Sequence, residues 1–340
     1  MIIQLKADIT TEQQARLEEE IAAIGYKATE VKTQMGHYLI AIGKKAFDIR
    51  KIGVLPGIQD VHRVTDNYKL VSRKWKVQPT TIDLGDGVKI QEGQFALMAG
   101  PCSIETEVQI RATLEHLKAE GIPIMRGGVY KPRSSPYSFR GLGIDGLKMW
   151  AELAQEYGIK IITEVMQVSQ IEAMIDYVDV FQVGARNTQN YNLLDALGEV
   201  DKPVLLKRGI SGTIEELLYS AEYIFSGGNE RIMLCERGIR TYEKAYRNTL
   251  DLNAVAMLKE KTHLPVISDP SHGIGVRDFV EPMALASLMA GADGIIYETH
   301  PTPEKAYSDA QQTISFRQSS ELARKIKALV AMRAQNFEIA

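Results

Sequence analysis

The sequence predicts an α/β protein: a (β/α)8 TIM barrel preceded by a small βαββαβ, ferredoxin-like domain. Three observations lead there. From Phe95 onward, eight short apolar runs alternate with amphipathic helical stretches. Those repeats fill about 240 residues, close to the roughly 250 typical of such barrels. Each run also ends in polar or charged residues, and in a parallel barrel these ends share one face. An open doubly wound sheet is the alternative, but no glycine-rich phosphate fingerprint follows the first run.

Residues 1–66 carry the small unit. Ile2, Ile3 and Leu5 begin a strand. Thr10 and Gln13 have capping-box spacing, and Leu17, Ile21 and Ile24 follow at helical spacing. KATEVKT (27–33) and HYLIAIG (37–43) read as strands joined by a Met-Gly turn. Residues 47–54, starting at Phe47, read as a second short helix, stopped by Pro56 and Gly57. Ile58, Val61 and Val64 mark a last strand. The unit is ferredoxin-like or ACT-like, and a regulatory or oligomer-forming role stands beside that of a plain packing domain. Residues 67–94 read as a linker, with Gly-Asp-Gly in IDLGDGVKI (82–90) marking a hairpin.

Residues 95–340 form the barrel. Its strands are FALMAGP (95–101), IPIMRGG (122–128), IKIITE (159–164), VDVFQVG (178–184), PVLLKRG (203–209), RIMLCERG (231–238), LPVISDP (264–270) and DGIIYETH (293–300). Helical stretches such as EVQIRATLEHLKAEG and PMALASLMAG lie between them.

Bulk properties bound the function. Forty basic residues stand against 43 acidic ones, a net −3, which argues against nucleic acid as the main partner. Hydrophobic residues make up 45% of the chain, enough for a sizeable core. Two cysteines, Cys102 and Cys235, are too few for a disulfide framework and fit a reducing compartment. No signal peptide and no run of about 18 apolar residues is visible. A soluble cytoplasmic protein with no membrane partner is expected.

Two kinds of residue collect at the strand ends. Arg126, Lys131, Arg133, Arg186, Lys207 and Arg237 are cationic, and arginine forks match phosphate and carboxylate oxygens. So many cations on one mouth of a slightly acidic protein imply an anionic substrate with more than one acidic group. Any one of them can instead pair with Glu164, Glu236 or Asp269 as a structural ion pair. The second kind is Cys102, His272, Glu298 and Asp309. A thiolate, an imidazole and two carboxylates suit a borderline divalent ion: Mn, Fe, Co or Zn. Taken singly, Cys102 reads as a small buried hydrophobe, and His272 as a general base or a satisfied core group. Cys235, inside an apolar run, has no ligand-like neighbours.

The motifs AGPCS (99–103), MRGGVYKPRSSPYSFRGLG (125–143), GARN (184–187), LLKRG (205–209), CERG (235–238), DPSH (269–272) and ETHP (298–301) resemble 3-deoxy-D-arabino-heptulosonate 7-phosphate (DAHP) synthases. The resemblance covers essentially the whole barrel. With the small N-terminal domain, the arrangement is similar to the type I beta branch. KPRSS is the most specific motif. The resemblance implies condensation of phosphoenolpyruvate with D-erythrose 4-phosphate and water, the first step of the shikimate pathway. It implies a divalent metal on Cys102, His272, Glu298 and Asp309. It places phosphoenolpyruvate on Arg126, Lys131, Ala185, Arg186, Lys207 and Arg237, with Glu164 beside it. Erythrose 4-phosphate falls to Arg133, Ser134 and Ser135. Proton transfer falls to Lys131, with His272 or a metal-bound water. It further implies a homotetramer and feedback inhibition by an aromatic amino acid, tyrosine or phenylalanine. The nearest alternative is 3-deoxy-D-manno-octulosonate 8-phosphate synthase, which would lack KPRSS. A non-catalytic sugar-phosphate sensor would be expected to have lost some metal ligands.

Overall fold

Two β-sheets of opposite construction organise the chain. The computed structural model describes residues 1–336 apart from 45, 47, 133, 134 and 136. Near the N-terminus, β1 (Ile2–Leu5), β2 (Lys27–Lys32), β3 (His37–Ile42) and β4 (Ile58–His62) form an antiparallel sheet in the order β2-β3-β1-β4. Between β1 and β2 runs α1 (Thr11–Ala23), which starts at the expected capping box: Thr10 and Gln13 each accept from the other's backbone N–H. The second helix, α2 (Arg50–Gly53), is one turn long, shorter than the sequence suggests. Asp48 accepts from the Arg50 backbone at its start, and Pro56 prevents its extension. Phe47 lies outside the described residues.

Alternation gives this sheet two apolar faces. Ile3, Leu5, Leu39 and Ala41 pack beneath α1 and α2 with Leu17, Ile21 and Ile52. Ile2, Val31, Tyr38, Ile40 and Val64 join the larger core that also holds the barrel helices. Polar contacts reinforce the contact with the barrel, where buried Glu230 accepts from Thr33 and pairs with Lys76 at 3.1 Å.

The second sheet closes on itself. Its strands are β7 (Ala96–Gly100), β8 (Ile124–Gly127), β9 (Lys160–Val165), β10 (Val180–Val183), β11 (Val204–Lys207), β12 (Ile232–Glu236), β13 (Val266–Ser268) and β14 (Gly294–His300), each parallel to the next. Pairing of β14 with β7 completes the circle, as the sequence predicts. Around it lie α3 (Glu107–Glu120), α4 (Gly143–Tyr157), α5 (Ile171–Met174), α6 (Tyr191–Gly198), α7 (Ile214–Ser226), α8 (Leu252–Lys261), α10 (Val280–Met289) and α11 (Phe316–Asn336). A five-residue helix, α9 (Pro270–Ile274), follows β13 at the mouth, and β15 (Ile314–Ser315) extends the sheet beside the end of β14.

The segment 67–94 is far more than a connector. Leu70, Val71 and Trp75 are buried in the main core. Half-buried Glu222 of α7 accepts the backbone N–H groups of Lys69, Leu70 and Val71. The hairpin forms as β5 (Ile82–Asp83) and β6 (Lys89–Ile90). Its turn runs through Gly85, Asp86 and Gly87 at φ of 79°, 52° and 79°, a left-handed path that glycine and aspartate tolerate. Ile82 and Ile90 are fully buried and cluster with Met98, Ile124, Ile162, Val180, Leu205, Met233, Cys235, Ile267 and Ile296, the inward-facing residues of the barrel. The hairpin therefore plugs the N-terminal end of the barrel with hydrocarbon. Lys160, at the start of β9, holds the hairpin tip through Asp86 at 2.7 Å.

Candidate active site

Inward positions recur every second residue along a strand, so the apolar layer is followed by another ring closer to the mouth. That ring contains Arg126 after Ile124, Glu164 after Ile162, Gln182 after Val180 and Lys207 after Leu205. On the remaining side it contains Arg237 after Cys235, Asp269 after Ile267 and Glu298 after Ile296. Above it opens a cavity of about 210 Å³. Among the described residues, seven cations line it: Arg126, Lys131, Arg186, Lys207, Arg237, Arg240 and Arg247. Against them stand two carboxylates among the described residues, Glu164 and Asp309.

These cations fall into two groups. Some are balanced locally: Arg126 pairs with Glu298 at 3.0 Å and donates to the Pro101 carbonyl, and Lys207 pairs with Asp269 at 2.5 Å. Arg186, Arg237 and Arg240 pair with no carboxylate among the described residues. Arg237 is 5% exposed and, among the described residues, its side chain donates only to the carbonyl of Gly238 at 3.3 Å, and burial lowers its pKa. A buried guanidinium without a counter-charge is unfavourable on its own, and an anionic ligand removes that penalty. Arg208 and Glu236 lie on the other faces of their strands. They form a separate buried network with Asp251 at 2.9 and 3.0 Å, so they stand outside the cavity.

The metal-type residues converge beside the cations. Cys102, Glu298 and Asp309 each offer a ligand atom, all within 4.8 Å of one another. His272 is placed by its local sequence. Asp269 caps α9, accepting from the His272 backbone at 2.9 Å, while its other oxygen meets Nδ1 at 2.8 Å. Burial lowers the pKa of His272 despite Asp269 and Glu298. The neutral ring therefore keeps its proton on Nδ1 and turns the Nε2 lone pair inward. That lone pair faces Glu298 Oε1 at 3.6 Å and Asp309 Oδ2 at 3.9 Å. These distances are too long for hydrogen bonds. They leave these atoms near enough to share one cation through bonds of about 2 Å. Cys102 Sγ lies 3.4 Å from Asp309 Oδ2 and 3.0 Å from Lys131 Nζ.

The electrostatics agree with a cation site. Burial and then Glu298 push the Cys102 thiol up to about 12, beyond the help of Lys131. Such a thiol ionises only when a metal takes the thiolate. Burial opposes ionisation of Asp309, yet His272, once protonated in acid, and Arg247 hold it at about 2. His272 and Arg126 likewise lower Glu298 against its burial. Asp309 sits at a left-handed φ of 51°, a conformation that a non-glycine residue holds when surrounding structure imposes it. Cys235 is buried among apolar side chains of the barrel interior, and burial raises its pKa strongly.

The structure thus gathers Cys102, Arg126, Lys131, Glu164, Ala185, Arg186, Lys207, Arg237, His272, Glu298 and Asp309 at one mouth. Gly184 makes room for Glu164, whose Oε1 would lie 2.1 Å from any Cβ there. Ser135 is exposed on the loop after β8 and does not line the cavity. Arg133 and Ser134 lie outside the described residues. Sequence reading missed Gln182, Arg240, Arg247, Asn248 and Gln312, and named Asp269 only as a structural ion-pair partner, which its contact with Lys207 bears out. Strict alternation along β10 carries a signal for Gln182. The others sit in loops, where no period applies.

An eight-stranded parallel barrel with an anion-attracting, metal-ligand-bearing mouth defines a (β/α)8 enzyme that acts on acidic small molecules. Residues 74–334 match the DAHP synthetase I family, and the chain belongs to that family. A phospho-2-dehydro-3-deoxyheptonate aldolase of Thermotoga maritima is 45% identical over 330 residues, 97% of both chains. The crystal structure of a Thermotoga maritima phospho-2-dehydro-3-deoxyheptonate aldolase (DAHP synthase) superposes with a TM-score of 0.78 at 44% identity, covering 97% of each chain. A 2-dehydro-3-deoxyphosphooctonate aldolase of Acidithiobacillus ferrooxidans is 33% identical over 68% of this chain and 87% of its own length.

Proposed function

We propose that this chain condenses phosphoenolpyruvate with D-erythrose 4-phosphate and water, giving DAHP and phosphate at the entry to the shikimate pathway. One observation carries the reading: unpaired cations and a thiol–imidazole–carboxylate cluster meet at a single barrel mouth. Phosphoenolpyruvate presents a carboxylate and a phosphate, and Arg126, Arg186, Lys207 and Arg237 supply the charge to bind both, with the Ala185 backbone beside them. Bidentate arginine contacts also fix the orientation of the enol.

Cys102, His272, Glu298 and Asp309 would hold a divalent cation, Mn, Fe, Co or Zn by their donor chemistry, which acts as a Lewis acid toward the sugar aldehyde. Carbon three of phosphoenolpyruvate then forms the new C–C bond at that aldehyde carbon. We assign the protonation of the developing alkoxide to Lys131, whose Nζ lies 3.0 Å from Cys102 Sγ beside the metal-type residues. Water adds at carbon two, and the C–O bond to phosphate breaks as the ketone forms. Glu164, with Gln182 Nε2 at 3.4 Å, borders the phosphoenolpyruvate site. Arg133, Ser134 and Ser135 are assigned to the erythrose phosphate. Arg133→Ala should raise the KM for erythrose 4-phosphate and spare that for phosphoenolpyruvate.

Phosphate release measured with erythrose 4-phosphate and, separately, with arabinose 5-phosphate decides the activity. Turnover with the four-carbon sugar alone is expected. Preference for the five-carbon sugar would move the chain to the octulosonate branch, and release without either sugar would remove the condensation. No described helix is long and apolar enough to cross a membrane, and we assign the chain to the cytoplasm. We assign residues 1–66 a regulatory role, binding tyrosine or phenylalanine within a homotetramer. Deleting them should abolish feedback inhibition, and inhibition that survives would end that assignment.

A further inference from the structure

We propose that Gln312 is a positioning residue that sets the geometry of the metal site and ties it, through Arg247, to the substrate cavity. This rests on the reading of Cys102, His272, Glu298 and Asp309 as metal ligands. Gln312 has no exposed surface. Its Nε2 donates to Glu298 Oε2 at 2.7 Å, and its Oε1 accepts from Arg247 Nη1 at 2.7 Å. The orientation of the amide is forced. A guanidinium only donates and a carboxylate only accepts, so Oε1 must face Arg247 and Nε2 must face Glu298. The amide leaves Glu298 Oε1 to face His272 Nε2 at 3.6 Å.

The same residue fixes the other carboxylate. The Gln312 backbone N–H donates to the Asp309 carbonyl at 3.1 Å, helping to hold the left-handed turn at that residue. Arg247 Nη1 also lies 3.5 Å from Asp309 Oδ1, and its side chain lines the substrate cavity. Glu298, Gln312, Arg247 and Asp309 therefore form one chain of contacts from the metal donors to the cavity wall. Glutamine accepts at one end and donates at the other. Glutamate would face Glu298 with like charge, and leucine would leave Glu298 Oε2 and the guanidinium without a partner.

Cobalt(II) affinity of the purified full chain, measured by competition with a chromophoric chelator, tests this. The thiolate-to-cobalt absorption band serves as a second readout specific to Cys102. Gln312→Glu and Gln312→Leu should each weaken cobalt binding roughly 10- to 100-fold and shift the band. Arg247→Ala should weaken it about threefold to tenfold, and the double variant Arg247→Ala/Gln312→Leu should lose less than the product of the single losses. Charge alone predicts the reverse for Arg247→Ala, because removing a cation beside Asp309 favours a metal ion. Unchanged or tighter cobalt binding in Arg247→Ala overturns the proposal even if neither Gln312 variant folds. So does affinity within twofold of the unsubstituted protein in a folded Gln312 variant. Absence of cobalt binding in the unsubstituted protein would instead remove the metal reading beneath it.

Discussion

The two ends of the barrel use the same inward positions for opposite purposes. At the N-terminal end, Met98, Ile124, Ile162, Val180, Leu205, Ile267 and Ile296 meet Ile82 and Ile90 of the plugging hairpin in a closed apolar layer. One step along each strand toward the mouth, most of the inward side chains are ionisable. The first layer minimises free energy by excluding water. The second gathers ionisable groups at the floor of an open cavity and leaves buried Arg237 without a carboxylate partner among the described residues, an arrangement that stability alone would not select. The difference teaches that this barrel separates its stabilising and reacting layers by a single strand repeat, about 7 Å.

Substitutions at the two ends should therefore fail differently. The largest expected effect is at the mouth: Cys102→Ala should lower kcat/KM by about a thousandfold or more through loss of the metal, with a thermal midpoint within a few degrees of the parent. A folded but active variant would break the comparison. At the other end, Ile90→Ala should lower unfolding free energy by roughly 2–5 kcal/mol while kcat/KM per folded molecule stays unchanged. Urea titration beside a steady-state assay checks it.

A third expectation concerns the layer where the linker meets the barrel. His263 is buried, with Nε2 facing the Leu70 carbonyl at 2.8 Å and Nδ1 facing the Thr80 hydroxyl at 2.7 Å. The carbonyl only accepts, so Nε2 carries the proton and the ring is neutral. Burial and then Lys76 depress its pKa to about 3. The unfolded chain binds a proton near its ordinary value while the folded one does not. Stability is thus full at neutral pH and falls as pH drops from about 6.5 toward 3. Between pH 7 and 5 this amounts to about 2 kcal/mol. His263→Gln should flatten that part of the pH–stability curve, and an unchanged slope would rule His263 out as its source. The smallest effect is at the exposed rim: Arg240→Ala should raise the KM for an anionic substrate by about threefold to tenfold at low salt, less at high salt, without changing stability.

Much of the architecture was legible in the chain because strand and helix periods are local. Eight apolar runs, the Thr10 and Gln13 capping box and the Gly85–Gly87 turn are each set by neighbouring residues. The fate of 67–94 was not legible. Ile82 and Ile90 look like any β-rich pair until the barrel closes and leaves an open end for them to fill. The site divided in the same way. Residues at strand ends could be found by position. Gln312 and Arg247 act by distance across the fold, and a polar residue in a loop carries no mark of its partner.

By itself the sequence determined which side chains alternate inward, and hence that charge would collect at one mouth of a parallel barrel. Local steric rules and hydrophobic period suffice for that. Only the tertiary structure decided which cations are neutralised and which remain open, because pairing depends on distances between residues far apart in the chain. It also brought Cys102, Glu298 and Asp309 within 4.8 Å of one another, since closure of β14 against β7 joins the first and last strands.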